Sequence, residues 1–366
     1  MRTCILIAAT VIIAAVICIL IIAAAQGKRL AVHTNTELDG VDAEMEEILY
    51  YASLSPNSHN AQGWSIAIDP EEQQIHITVD TARQLTTVDS EGREAYISLG
   101  CYIETLVTAF GAYGYEAETA LEANEGMITV SYEKVKDGAI DTDILELIQK
   151  RHTDKSKYNE TALDTEVIPI LTQGMDGVFF YEKDSFGFTY LKEHTIKAVR
   201  EQSASQEYRD ELNEWMRFSD SEVEQEKDGI SAEMIGLTGI TKSFYYWTTN
   251  HRNATGDKFA AQGISTAESQ VNHCGAFFII TGDDTVSGWM EAGRITQRFW
   301  LRCAEHEIAM QPMSAILEVS PYAHQVQSDL DLDAPAQMIL RVGYVDDYGE
   351  NVGVRRNLCD YVSVDD

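Results

Sequence analysis

The stretch Glu47–Trp64, EILYYASLSPNSHNAQGW, decides how the rest of the chain is read. It starts with helical spacing, since Ile48, Leu49, Ala52 and Ser53 fall on one face. The helix breaks at Leu54-Ser55-Pro56, because a proline drives its predecessor out of the α region. The tail then crowds Asn57, Ser58, His59, Asn60 and Gln62 into one turn, ends on Trp64 and runs into a strand, Ser65–Ile68. Amide and hydroxyl groups at this density suit the edge of a planar heteroaromatic ligand, whose ring carbonyls and nitrogens both accept and donate. The plain alternative is a well-capped turn between helix and strand.

Working outward, composition narrows the partners. The 366 residues carry 27 Lys+Arg against 59 Asp+Glu, a formal charge of −32. Nucleic acid and anionic membrane surfaces both demand basic patches, so neither is expected as a partner. Any phosphate-bearing ligand must be met by a few bases placed together. The six cysteines form no CxxC pair, and buried free thiols are expected rather than zinc ligands or a redox motif.

Residues Cys4 to Ala25 are almost unbroken in apolarity and long enough, at about 20 residues, to cross a bilayer. An uncleaved anchor over residues 1–26 is expected, with a cleaved signal as the alternative and the side of the membrane open. A polar linker, 27–41, follows. Residues 42–140 read as a first αβ half: strand pairs Trp64–Ile68 with Ile75–Val79 and Tyr115–Ala120 with Met127–Tyr132, and a helix Ala95–Ala112. Gly100 inside that helix costs about 1 kcal/mol against alanine, which implies close approach of another backbone or of a ligand. Residues 141–366 read as a second half, with a strand Ala276–Ile280 and a helix Ser287–Ile308 containing Gly293. Gly100 and Gly293 sit alike in their helices, as two related halves packing their central helices together would need. Residues 184–269 form a helical insertion with helices at Tyr190–Val199, Glu207–Phe218 and Met234–Tyr246. Its run Phe244-Tyr245-Tyr246-Trp247 is expected to be core.

Three further stretches carry chemistry. Lys150-Arg151-His152-Thr153-Asp154-Lys155 sets Arg151, Thr153 and Lys155 at alternate positions, so an extended backbone points them one way. A guanidinium fork, a hydroxyl donor and a point charge together make an anion clamp, where the alternative is a solvated basic loop. Near the C-terminus, Leu340-Arg341-Val342-Gly343-Tyr344 precedes the pair Arg355-Arg356. Between residues 155 and 340 lie Gly288–Arg294 and Ala309-Met310-Gln311-Pro312-Met313-Ser314.

These stretches, in this order, resemble the nitroreductase superfamily of flavoproteins, and within it the Acg-like subfamily. SPNSHNAQGW is similar to that group's APSSHNTQPW, with Gly63 in place of proline. Residues 151–155 are similar to its RHTNRRPF, with Lys155 in place of an arginine, and the C-terminal stretches resemble RLGY…PRRPLEDVV, with Gly353 in place of a lysine. The resemblance spans residues 42–366 and implies an α+β, nitroreductase-like fold: two fused αβ halves with antiparallel-rich central sheets and packed central helices, an intramolecular pseudo-dimer. It implies FMN at the junction, with the phosphate on Arg151, Thr153, Lys155 and Arg355. The ring is then expected near Ser58, Asn60 and Gln62, beside the loop Pro312, Met313, Ser314, with His59 and His152 hydrogen-bonding to the flavin. Met313 and Ser314 narrow the space above that ring, and Glu307 replaces a family glycine.

The function implied is that of an FMN-dependent oxidoreductase, in which NAD(P)H gives hydride to flavin N5 and a nitro, quinone or similar acceptor then takes it. The alternative is a non-catalytic FMN-binding or sequestering protein of the Acg-like type. No metal, nucleophile or dinucleotide-binding motif competes. Flavin performs the electron chemistry, so no general base is expected and the pH profile should be flat.

Overall fold

Two long helices, Arg93–Ala112 and Val286–Glu305, cross at Gly100 and Gly293. A methyl carbon on Gly100 would stand 2.0 Å from the Met290 carbonyl oxygen, and one on Gly293 would stand 2.1 Å from that of Ile97. Only glycine at both positions lets the backbones meet, and Cys101 Sγ donates to Gly293 O across the crossing at 3.2 Å. In this computed structural model, which describes residues 2–122, 126–136 and 138–365, everything else is arranged around that crossing.

Each helix carries a sheet. The first, in the order β3-β4-β2-β1-β9, holds β1 (Trp64–Asp69), β2 (Gln74–Val79), β3 (Tyr115–Glu122) and β4 (Met127–Lys134) in antiparallel register. The second, in the order β5-β6-β8-β7, is antiparallel throughout: β5 (Val178–Glu182), β6 (Ala276–Thr281), β7 (Ile308–Pro312) and β8 (Ala336–Tyr344). The last strand, β9 (Val362–Val364), leaves the second half and joins β1 in parallel, Ile66 opposite Val362. The C-terminal tail therefore completes the first sheet and clasps the halves together. The architecture is α+β, with an apolar core on each side of the crossing: Trp64, Leu99, Tyr102, Leu106 and Phe110 in one, Phe278, Ile295, Phe299, Trp300 and Met310 in the other.

Several elements depart from the sequence expectations. The second central helix stops at Glu305, and Ile308 opens a strand instead of ending the helix. In the insertion, helices occupy Phe186–Ala204, Gln206–Trp215, Asp220–Glu226, Gly239–Thr248 and Asp257–Asn272. Met234 lies in a short 3-10 turn ahead of Gly239–Thr248, and that helix leaves Phe244 41% and Trp247 45% exposed where core was expected. Residues 27–41 are tied down: Asn35 N donates to Asn357 Oδ1 at 3.0 Å, and Leu358 N returns a bond to Asn35 O at 2.9 Å. Cys101, Cys274 and Cys303 are buried free thiols, whereas Cys18 and Cys359 are exposed.

Candidate functional site

The turn that opened the sequence reading is built under strain. Asp42 caps the helix Ala43–Ser53, its Oδ1 accepting from Met45 N at 2.9 Å, and the chain then leaves the helix at Leu54. His59, Asn60 and Gln62 all adopt positive φ, at 53°, 54° and 52°. Left-handed non-glycine residues cost about 1–3 kcal/mol each and persist only where the surroundings over-determine them. Here the surroundings do. Asn57 Oδ1 accepts from Gln62 N at 2.8 Å, and Asn60 Nδ2 donates to Val354 O at 3.2 Å. Gln62 Nε2 donates to Lys227 O at 2.9 Å, while its Oε1 accepts from Arg356 N at 2.9 Å.

A cavity of about 280 Å³ opens beside this turn, where the two halves and the insertion meet. That places it at the small end of the range for small-molecule sites. Its wall brings together Ser58, His59, Asn60, Arg151, His152, Thr153, Lys155, Pro312, Ser314 and Arg355 from four separate stretches of chain. Gln62 and Met313 are not brought to it. Gln62 is fully buried and spent on the backbone bonds just described, and Met313 sits in a core cluster with its N–H on Ile339 O at 2.7 Å. Glu307 is exposed, ion-paired to Lys150 Nζ at 2.8 Å and off the wall. The space over a ligand is thus narrowed by neither Met313 nor Glu307.

The electrostatics of the wall are unusual for so acidic a chain. Among the described residues, Arg151, Lys155 and Arg355 each lack an acidic partner. Arg355 is mostly committed to the turn: Nε donates to Ser53 O at 2.5 Å, Nη1 to Asn60 Oδ1 at 3.0 Å and Nη2 to Leu54 O at 3.2 Å. Arg151 lies 4.8 Å over the Trp300 ring and gives one bond, Nη2 to Leu54 O at 2.5 Å, leaving its buried Nε unpartnered. Burial pulls both guanidinium groups down to about 10, each cation having no counter-charge, and Arg355 adds to the effect on Arg151. Burial likewise pulls the Lys155 ammonium down to about 8. His59 is held neutral, pushed to about 4 by burial, and its Nδ1 has no partner.

The sequence reading missed an acidic part of the same wall, Glu94 and Glu318. Asp89 accepts from the Glu94 and Ala95 amides at 3.0 and 2.9 Å, which seats Glu94 at the start of its helix, and Ser58 Oγ donates to Glu94 Oε2 at 2.6 Å. Glu318 is hydrogen-bonded to Glu94 and receives Gln202 Nε2 at 2.6 Å. Burial, then the Glu94 charge, push the Glu318 carboxyl well above the usual carboxylate range. No local signal marks them, because an acid in the first turn of a helix is ordinary. Ile230 and Met234 of the insertion also line the wall.

With this geometry in view, the chain's relatives can be placed. No protein-family model matches it. A Mycobacterium tuberculosis protein, Rv3131, whose name provisionally assigns it as an NAD(P)H nitroreductase, is 22% identical over 314 residues, 83% of this chain and 86% of that protein. "Probable NAD(P)H nitroreductase PigM" of a Serratia strain is 26% identical over 136 residues, 35% of this chain and 38% of its own length. The chain is thus similar to two proteins whose names assign them, provisionally, as NAD(P)H nitroreductases. The FMN-dependent nitroreductase NfnB from Mycobacterium smegmatis, solved in complex with NADPH, overlaps with a TM-score of 0.37 at 14% identity, over 59% of this chain and 94% of that one. An overlap that loose assigns no ligand here. In this chain the junction between the halves holds the cavity, whose wall carries Arg151, Lys155 and Arg355.

Proposed function

We propose that the chain is an Acg-like, FMN-dependent NAD(P)H oxidoreductase held to a membrane by the helix Arg2–Gln26. The observation that carries the cofactor is the cation set. Among the described residues, Arg151, Lys155 and Arg355 line one cavity without a counter-ion, and Arg151 Nε has no acceptor. Such a set fits a phosphate monoester, which neutralises buried cations and accepts their free donors. Arg151, Thr153 and Lys155 would hold the phosphate, with Arg355 stiffening the turn behind it. Ser58, His59 and Asn60 would meet the ring edge, Pro312 and Ser314 its neighbourhood. FMN bound there supplies the two-electron chemistry between a nicotinamide and a nitro, quinone or similar acceptor.

The chain's own part is to bind, orient and supply protons. Glu318, kept protonated against Glu94, can give a proton to an acceptor oxygen, which reduction of such an acceptor requires. On this reading turnover should fall as Glu318 loses its proton, in place of the flat pH profile expected from sequence. The decisive experiment is an absorbance spectrum of the purified full chain, with the released ligand identified by mass. Bound FMN is expected; a colourless protein that takes up no added FMN refutes the proposal. A sequestering role is the second reading, and Ile230 and Met234 over the cavity favour it. Reduced nicotinamide bleaches the bound flavin in the first reading and leaves it coloured in the second.

A further inference from the structure

The anchor helix does not simply trail away from the body of the protein. Its side chains from Leu6 to Ile22 are exposed, but Ala23 is fully buried, and from there the helix is locked to Gly239–Thr248. Ser243 Oγ donates to Ala23 O at 2.7 Å, Gly239 N to Gly27 O at 3.0 Å, and Trp247 Nε1 to Gln26 Oε1 at 3.1 Å. A methyl carbon on Gly27 would lie 1.9 Å from Gly239 O, so the two backbones touch. The free length, residues 4–22, is about 28 Å at ~1.5 Å per residue. That just fills a hydrocarbon core of ~30 Å. No slack remains: if residues 4–22 span, Ala23 lies at the edge of the hydrocarbon and Gly239–Thr248 lies at the same depth.

The face that this helix turns outward suits that depth. Ile240, Phe244 and Trp247 fall on one side at i, i+4 and i+7, exposed by 39%, 41% and 45%. Phe244 and Trp247 meet edge to face at 5.2 Å. Aromatic rings with a polar edge settle at the headgroup level of a bilayer. The opposite side of the helix is fixed to the protein, with Lys242 Nζ 2.7 Å from both Asp220 and Glu233. With a formal charge of −32 on the chain, the fitting surface is zwitterionic, not anionic.

We propose that the helix Gly239–Thr248 rests in the interfacial layer of the bilayer spanned by residues 4–22, with Ile240, Phe244 and Trp247 as its contact. This rests on the anchor reading, though not on the flavin. Its consequence reaches the cavity, because Met234 on the wall belongs to the segment leading into this helix. Lipid thereby steadies the cover of the site.

The test reconstitutes the full chain in phosphatidylcholine nanodiscs, with and without bromine on the upper part of the acyl chains. The emission of Trp247 is taken as the difference between the native chain and W247F. Quenching of that difference by brominated lipid is expected, together with its loss in F244D, which residues 4–22 still hold in the disc. Chain that enters the disc but shows an unquenched difference overturns the docking and leaves the anchor standing. If that unquenched chain is found two to a disc, the face belongs to a second copy. Failure to enter the disc overturns the anchor, and the docking with it.

Discussion

The cover of the cavity and its wall treat buried cations in opposite ways. In the cover, Lys242 is enclosed but ion-paired to Asp220 and Glu233, and Arg217 reaches Asp228 Oδ1 with its Nε at 3.1 Å. Burial alone would lower the Lys242 ammonium, yet its two carboxylates outweigh that and raise it above the ordinary 10.5. In the wall, Lys155 has no such partner among the described residues, and burial takes it down to about 8. A chain with 59 acids for 27 bases does not lack carboxylates to place beside Lys155, Arg151 and Arg355. The contrast teaches that the wall is prepared for an anion from outside, while the cover is a closed structural unit.

The most drastic way to break the comparison is to remove the paired cation. Lys242→Met leaves Glu233 buried beside an apolar chain, and breaking a buried pair typically costs ~3–5 kcal/mol. Denaturant unfolding should show a loss of that order, whereas Lys155→Met should cost the ligand-free protein nothing or stabilise it. If both substitutions destabilised alike, the wall cations would be structural and the distinction would fall.

Next comes affinity. Arg151→Met removes the guanidinium with a free buried Nε, and hydrogen bonds to charged groups are worth ~1.5–3 kcal/mol. Titration of flavin fluorescence should show FMN binding weakened by roughly 10–150-fold at ~1.4 kcal/mol per decade. Equal affinity in the variant would remove Arg151 from the phosphate.

Lys155 gives a smaller, pH-dependent effect. Between about 8 and the ordinary 10.5 the unfolded chain holds a proton that the folded chain has released. Stability of the ligand-free protein therefore rises with pH across that window, and the cost of the buried charge is fully present below about 8. FMN affinity should move the other way, falling as pH rises through about 8 and Lys155 loses its charge. Melts and titrations at either side of that pH check both signs, and Lys155→Met should flatten them. A profile unchanged in the variant would assign the titration elsewhere.

How much of this was legible in the chain follows from the range of each signal. Arg151, Thr153 and Lys155 reach one cavity because alternation in an extended stretch is a local, period-two pattern. Gly100 and Gly293 announce a backbone contact because glycine inside a helix needs a reason. Glu94 and Glu318 meet only through the fold, so neither could be found by spacing. The return of Val362–Val364 to the first sheet is likewise a long-range event with no local mark. Phe244 and Trp247 read as core because an aromatic pair does not by itself say whether it faces the interior or the outside, and here both rings are exposed beside the helix Arg2–Gln26. Ile308, the first residue of the strand Ile308–Pro312, reads as the end of the preceding helix because the stop signal is disguised: Glu307 carries the positive φ that glycine would usually mark.

That residue supplies the smallest effect and the sharpest control. Lys150 and Lys155 stand on the same stretch, but Lys150 pairs with Glu307 at the surface, at 2.8 Å, with both side chains more than a third exposed. Exposed pairs of this kind contribute ~0–1 kcal/mol. Glu307 also holds φ at 53°, and a left-handed residue with a Cβ costs ~1–2 kcal/mol that glycine avoids. Glu307→Gly therefore loses little and regains about as much or more, so thermal unfolding should shift upward slightly or stay in place. FMN affinity should not move, since Glu307 lies off the cavity wall. A Glu307→Gly chain that binds FMN several-fold better would mean that this loop reaches the ligand after all. Lys150, released from its partner, would then have to be counted with Lys155 among the cations awaiting an anion.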